Sequence, residues 1–172
     1  MKSSLNPNNI LDQLELRDDM LAAEFGCGSG GFSIPLAKRI SEGLVYAVDI
    51  LDAPLSALKS RMLFENIKNI KIVKSNLEGK NGSTINSSCL DLVVIPNVLF
   101  QAENKSAIIS EAVRVLQNRG WLVVIDWDKQ TSKGPEEKVS KQEIKEMAQK
   151  AGLEFKKELK AGKYHFGLLF EK

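Results

Sequence analysis

Apolar residues return along this chain in two rhythms. Predominantly apolar runs at 44–48, 70–73, 90–95 and 121–125, interrupted only by Lys71 and Asp91, are too short for helices and show no sustained polar alternation, which predicts strands buried on both faces. Between them the apolar positions come back every three or four residues. Phe32, Ile34, Leu36, Ala37 and Ile40 predict one helix, and Leu55, Leu58, Met62 and Leu63 predict a second that starts at Pro54 and ends near Asn66. Ile108, Ile109, Ala112, Val113 and Leu116 predict a third helix over 105–117, closed by Gly120, and Ser140 with Glu143 reads as a capping box for a fourth that runs to Gly152. Such alternation implies an α/β fold with a doubly wound sheet. The final two strands, 153–159 and 164–170, are separated only by Lys160, Ala161, Gly162 and Lys163. That connection is too short for a parallel crossover, so these strands must form an antiparallel hairpin.

A length of 172 residues fits one domain over 20–172, preceded by a segment, 1–19, whose Ile10, Leu11, Leu14 and Leu16 suggest a helical cap. This segment could close a pocket or simply cover the sheet. With 24 basic and 22 acidic residues the net charge is +2, too small for a general attraction to nucleic acid. Two cysteines, Cys27 and Cys89, make neither a disulfide framework nor a metal cluster, so a reduced cytoplasmic protein without metal is expected. No run approaches the roughly 18 apolar residues of a membrane span. Export and insertion are therefore disfavoured.

The chemistry concentrates after the first apolar stretch. Leu21 to Phe25 lead into Gly26, Gly28, Gly30 and Gly31, four glycines within six positions, and then into the first predicted helix. A strand, a glycine turn and a helix N-terminus form a nucleotide cradle, because glycine lets the backbone approach a ligand. Gly26, Gly28 and Gly31 also fit the dinucleotide pattern GxGxxG, so the glycines alone do not choose the cofactor. Asp49 ends the second strand, roughly twenty residues on, where a carboxylate can accept from both ribose hydroxyls. An adenosine-containing ligand follows.

The hairpin ending is not that of a dehydrogenase. With the segment 24–30 (Glu-Phe-Gly-Cys-Gly-Ser-Gly), Asp49, the stretch 75–78, the stretch 91–97 and the turn 114–120, the chain resembles a class I S-adenosylmethionine-dependent methyltransferase over nearly its whole length after Asp19. Within that family it is similar to a small bacterial group related to ubiquinone and menaquinone methyltransferases, which end in a strand like the one at Tyr164 to Gly167. The resemblance implies a Rossmann-like seven-stranded sheet, mostly parallel, with an antiparallel C-terminal strand. It also implies residue roles. Glu24 fixes the turn and the methionine ammonium end of the cofactor, Gly26, Cys27, Gly28 and Gly30 form the turn, and Gly31 packs helix on strand. Asp49 takes the ribose, Ile50 and Leu51 flank the adenine, Asn76 accepts from its amino group, and Leu77 offers its amide. Pro96 and Asn97 lie beside the cofactor.

On the acceptor side the sequence offers Phe100, Gln101, Tyr164 and the single histidine, His165, with Asp126 or Asp128 to orient the imidazole as a base. A polar stretch, 129–139, is long enough for a lid. The expected activity is methyl transfer to a small molecule, leaving S-adenosylhomocysteine. The order Ile95, Pro96, Asn97, Val98 departs from the Asn-Pro-Pro-aromatic tetrad of many amine methyltransferases, and two cysteines cannot make a three-thiolate arsenite site. Two alternatives remain. An RNA methyltransferase or RNA-associated subunit would use Lys68, Lys71 and Lys74, or Lys156, Lys157, Lys160 and Lys163, and a nicotinamide-dependent oxidoreductase would share the glycine turn and Asp49.

Overall fold

The computed structural model describes residues 5–80 and 82–172. Residues 1–4 of the N-terminal segment lie outside the described residues. The predicted apolar runs are strands β1 (Leu21–Phe25), β2 (Leu44–Asp49), β3 (Ile70–Lys74), β4 (Leu90–Pro96) and β5 (Leu116–Trp127), and the hairpin is β6 (Glu154–Leu159) with β7 (His165–Glu171). They form a single seven-stranded sheet in the order β3-β2-β1-β4-β5-β7-β6. Strands β1 to β5 are parallel, while β7 lies antiparallel between β5 and β6.

Parity along the strands divides the core into two layers. On β4, Leu92 and Val94 face one layer and Val93 and Ile95 the other, and all four are fully buried. The first layer holds α1 (Pro7–Leu11), α2 (Ser33–Arg39) and α3 (Asp52–Phe64), and the second holds α4 (Lys105–Val115) and α5 (Lys141–Lys150). Ile10, Leu11 and Leu14 pack into the first layer, and Gln13 exchanges two hydrogen bonds with the backbone of Lys160 in the hairpin turn. The described part of the N-terminal segment thus lies over the sheet.

Helix ends show where local chemistry decided the boundaries. Ser140 and Glu143 make the capping box in both directions, and past Lys150 the chain turns through Gly152 at φ 91°, with Gly152 N–H donating to Gln149 O and Leu153 N–H to Ala148 O. These two bonds satisfy the last carbonyls of α5. Elsewhere the expected ends move. Pro54 is the third residue of α3, which begins at Asp52 and ends at Phe64, where Asn66 takes φ 52° and Ile67 N–H closes on Met62 O. The helix expected over 105–117 stops at Val115. Leu116 already has extended backbone and pairs with Leu90, so it enters β5. The register then slips before Leu92 meets Trp121, with Arg119 at φ 65° inside the irregularity. Gly120 does not close a helix; a Cβ there would lie 2.9 Å from both Gln117 O and Leu90 O, so it is needed for close backbone packing.

Candidate functional site

Between β1 and β4 the strand order reverses direction, and a crevice opens beyond their carboxyl ends, as expected at a topological switch point. The crevice is a cleft of about 450 Å³ lined by Gly26, Gly28, Asp49, Ile50, Leu51, Pro54, Ser75, Asn76, Leu77, Glu78, Asn97, Val98, Gln101, Ala102 and Ile108. Of the residues expected to hold a cofactor, Gly26, Gly28, Asp49, Ile50, Asn76, Leu77 and Asn97 meet here, whereas Glu24, Cys27, Gly30 and Pro96 do not line it. Pro54, Val98, Ala102 and Ile108 were not foreseen. Ile108 carries the same helical spacing as the core residues around it, so no local signal set it apart.

The glycine turn divides its work. Gly28, at φ 51°, would present an added Cβ to open space, on the side where a ligand can approach. Gly30, at φ 87° and buried, would put a Cβ 2.5 Å from Leu58 Cδ1 and 3.2 Å from Ile34 Cγ1, so it packs the turn against α3 and α2. That packing role had been expected of Gly31, whose Cβ would make only a 4.0 Å contact with Glu24 Oε1. Cys27 is buried, and burial pushes its thiol well above the ordinary range, which suits a turn residue and not a nucleophile.

Three polar side chains set the cleft's chemistry. Asp49 Oδ2 accepts from Gly28 N–H at 2.8 Å and Oδ1 from Leu51 N–H at 3.0 Å, so one carboxylate ties the glycine turn to the loop after β2. Both oxygens keep acceptor capacity toward the cleft. Asn97, at φ 55°, buries Oδ1 with no partner among the described residues. A buried acceptor left unpaired is costly, so this one points to a donor the protein itself lacks. Asn76 uses Oδ1 on Glu78 N–H at 3.0 Å, an Asx turn that orders the loop after β3. Ile50 and Leu51, 53% and 59% exposed, offer apolar walls.

Glu24 lies behind the cleft, 1% exposed. Its Oε1 accepts from Phe32 N–H at 3.1 Å, and its Oε2 accepts from Ser33 N–H at 2.6 Å and Ser33 Oγ at 2.5 Å. The side chain therefore caps the start of α2 across the turn, since Phe32 itself supplies no capping oxygen. Burial pushes its carboxyl up to about 7, against the pull of Ser33 and Phe32 and aided by the charge of Asp49.

On the acceptor side one expectation fails. Trp127 pairs with His165 across β5 and β7, whereas Asp126 pairs with Phe166. Neighbouring strand residues face opposite sides of a sheet, so Asp126 and His165 are on different faces and Asp126 cannot orient the imidazole. Asp126 instead accepts from Phe100 N–H at 3.1 Å and Trp127 N–H at 2.8 Å, which fixes the short turn Leu99–Gln101 below the cleft. Burial raises its carboxyl to about 6. Asp128 is not its partner either, because His165 buries both ring nitrogens without a hydrogen bond among the described residues. Its ring rests on Trp127, centroids 4.1 Å apart, and burial lowers its pKa. Phe100 packs against the second core layer and does not line the cleft.

Most of the basic residues proposed for nucleic acid are engaged locally. Lys74 pairs with Asp52, Lys156 with Glu154 and Glu171, Lys157 with Gln13 O, and Lys71 lies over the Tyr46 ring. Among the described residues no group of three His, Cys, Asp or Glu could hold a metal ion, and no helix is long and apolar enough to cross a membrane.

Comparison with known proteins agrees with this architecture. A stretch of 68 residues is 38% identical to a Methanocaldococcus jannaschii protein named "Probable cobalt-precorrin-6B C(15)-methyltransferase (decarboxylating)"; the match covers 40% of this chain and 36% of that protein, about a third of its length. The crystal structure of a SAM dependent methyltransferase from Aquifex aeolicus superposes with a TM-score of 0.87 at 23% identity, covering 97% of this chain and 89% of the other. Geranyl diphosphate C-methyltransferase from Streptomyces coelicolor A3(2), solved with Mg2+, geranyl diphosphate and S-adenosyl-L-homocysteine, superposes with a TM-score of 0.78 at 12% identity, covering 96% and 78%. At these identities the structural likeness speaks for the fold. A family model described as a methyltransferase domain matches residues 16–155, most of the chain, and this protein belongs to that family.

Proposed function

We propose that this chain transfers a methyl group from S-adenosylmethionine to a small-molecule acceptor, in the cytoplasm, where the free thiols of Cys27 and Cys89 would stay reduced. The observation that carries the reading is the cleft's glycine turn and its acceptors. Gly28, with open space where a Cβ would be, a carboxylate with spare acceptor capacity at Asp49 and an unpaired buried Oδ1 at Asn97 lie along one crevice. When bound, S-adenosylmethionine supplies a methyl group that its sulfonium already makes electrophilic. The protein then chiefly has to hold two molecules in line and keep water out.

Asp49 would accept from the ribose hydroxyls, Ile50 and Leu51 would flank the adenine, and Leu77 would present its backbone N–H to the ring. Asn76 would use the second lone pair of Oδ1, the first being spent on Glu78 N–H. The unpaired Oδ1 of Asn97 would accept from the methionine ammonium. Gly26 lets Val98 close over the turn, since a Cβ there would overlap the Val98 side chain. Glu24, Cys27, Gly30 and Pro96 would act by shaping the turn. His165 and Tyr164 belong to the acceptor side, with His165 held neutral by burial and able to take a proton only when an acceptor reaches its ring.

Thermal unfolding with S-adenosylmethionine, S-adenosylhomocysteine and NAD tests this, on the natural chain and on Asp49→Ala. At 100 times its Kd a true ligand adds about 2.7 kcal/mol, a shift of several degrees for a domain of this size. Stabilisation by both sulfur compounds, lost in Asp49→Ala, is the expected result. Stabilisation by NAD alone, or by none of the three, would overturn the reading.

A further inference from the structure

A second cavity, of about 520 Å³, opens on the same edge of the sheet, lined by Asp128, Gln130, Thr131, Ser132, Lys133, Lys163 and Tyr164. Two segments far apart in sequence build it: the strap that follows β5 and the turn that leads into β7. Asp128 N–H donates to Tyr164 O at 2.9 Å, which joins them. The strap is ordered from within. Lys138 Nζ donates to Thr131 O at 2.6 Å and Asp128 O at 3.3 Å, Thr131 Oγ1 accepts from Lys133 N–H, and Gly134 lies so close to the Trp127 ring that a Cβ would overlap it. Trp127, next in the chain to the lining residue Asp128, is thus held between Gly134 and His165.

Positive charge outweighs negative in the lining. Among the described residues neither Lys133 nor Lys163 pairs with a carboxylate, and Lys163 Nζ sits 5.7 Å from the centroid of the Tyr164 ring. Lys138, beneath the strap, also bonds only carbonyls. Asp128 is the one carboxylate in the lining, and its Oδ1 accepts from Gln130 N–H at 2.9 Å. Glu136 and Glu137 of the strap do not line it. Two ammonium groups, the hydroxyls of Thr131 and Ser132 and the amide of Gln130 make a set of donors suited to a carboxylate or a phosphate.

We propose that this cavity is the subsite for an anionic group, a carboxylate or a phosphate, on the methyl acceptor, with Lys133 and Lys163 as the residues that select it. The inference rests on the methyltransferase reading above and adds the chemical class of the acceptor. From the end of β4, which Asn97 follows, to β7 is two strand spacings, roughly 10 Å. An acceptor that reaches from the cofactor cleft to this cavity is therefore an elongated acid, with its charged end remote from the β4 side of the cleft.

The test uses Trp127 fluorescence in a Trp121→Phe background, which leaves one indole, with phenyl phosphate, benzoate and benzyl alcohol as probes, each titrated with and without S-adenosylhomocysteine. Saturable binding of phenyl phosphate or benzoate, but not of the neutral alcohol, is expected, and the tighter of the two names the anion. In Lys133→Ala/Lys163→Ala, both exposed positions, the anion should bind at least about tenfold more weakly while affinity for S-adenosylhomocysteine stays unchanged. Equal binding of benzyl alcohol, absence of any saturable response, or indifference to the double substitution would overturn the proposal. Failure of S-adenosylhomocysteine to bind, with selective anion binding intact, would instead overturn the methyltransferase reading.

Discussion

Glu24 places a carboxyl group in the interior beside the first turn of α2, and its protonation should register in the stability of the protein. Its folded pKa, about 7, lies above its ordinary value of 4.5, chiefly through burial. The stabilisation this implies is complete below the unfolded value and is lost as pH rises through 7. Asp126 acts in the same direction at lower pH, between 3.8 and about 6, and His165, with its pKa lowered, acts in the opposite direction below its ordinary 6.5. Above that point Glu24 dominates. Unfolding free energy from urea titrations should therefore fall by about 0.8 kcal/mol between pH 6.5 and 8, and Glu24→Gln should remove that slope. A variant that keeps it would show that another group titrates there. Glu24 and Asp49 could be singled out from sequence because each stands at a fixed offset from the glycine turn. The supposed partnership of Asp126 with His165 could not be judged that way, since both do reach the same edge of the sheet and only the pairing of Trp127 with His165 reveals that they face opposite layers.

At the scale of elements, the β1-turn-α2 unit combines two demands that one glycine pattern does not separate. Gly30 is tied to packing against Leu58 of α3, and Gly28 to the open side of the cleft. Gly30→Ala should cost about 2 kcal/mol or more of stability, because the new Cβ is both strained at positive φ and overlaps Leu58. Gly28→Ala should cost about 1 kcal/mol from backbone strain alone and weaken S-adenosylhomocysteine binding to a greater degree. Urea titration and calorimetry of both variants check this, and equal losses in both measurements would show that the turn does not divide in this way. Elements themselves were largely legible where hydrophobic period and capping chemistry agreed, as at Ser140 and Gly152. The α4 to β5 junction was not, because Leu116 continues the helical spacing of Ile109 and Ala112 while its backbone is already drawn into pairing with Leu90.

For the whole molecule, strand order decides where stability and ligand response should lie. Local pattern showed that the last two strands form a hairpin, but their insertion with β7 against β5 depends on contacts between segments distant in sequence, and was expected only through the family resemblance. The resulting sheet has a dry centre, with residues 92–95 of β4 and 122–125 of β5 fully buried. At one edge β6 exposes residues 154–158, held by surface contacts such as Lys145 over the Phe155 ring at 4.1 Å and the pairing of Lys141 and Lys145 with Glu158. Exposed ion pairs of this kind contribute little, about 0–1 kcal/mol each. Native-state hydrogen exchange should therefore be slowest at the amides of β1, β4 and β5, where opening needs global unfolding, and faster on β6, which can open alone. The cleft lies at the end of the protected strands but is built from loops, so S-adenosylhomocysteine should slow exchange mainly at Gly28, Leu51 and Leu77 and leave β6 unchanged. Uniform slowing across the sheet would mean that the ligand acts only by opposing global unfolding, and slowing confined to β6 and β7 would move the cofactor away from the β1–β4 crevice.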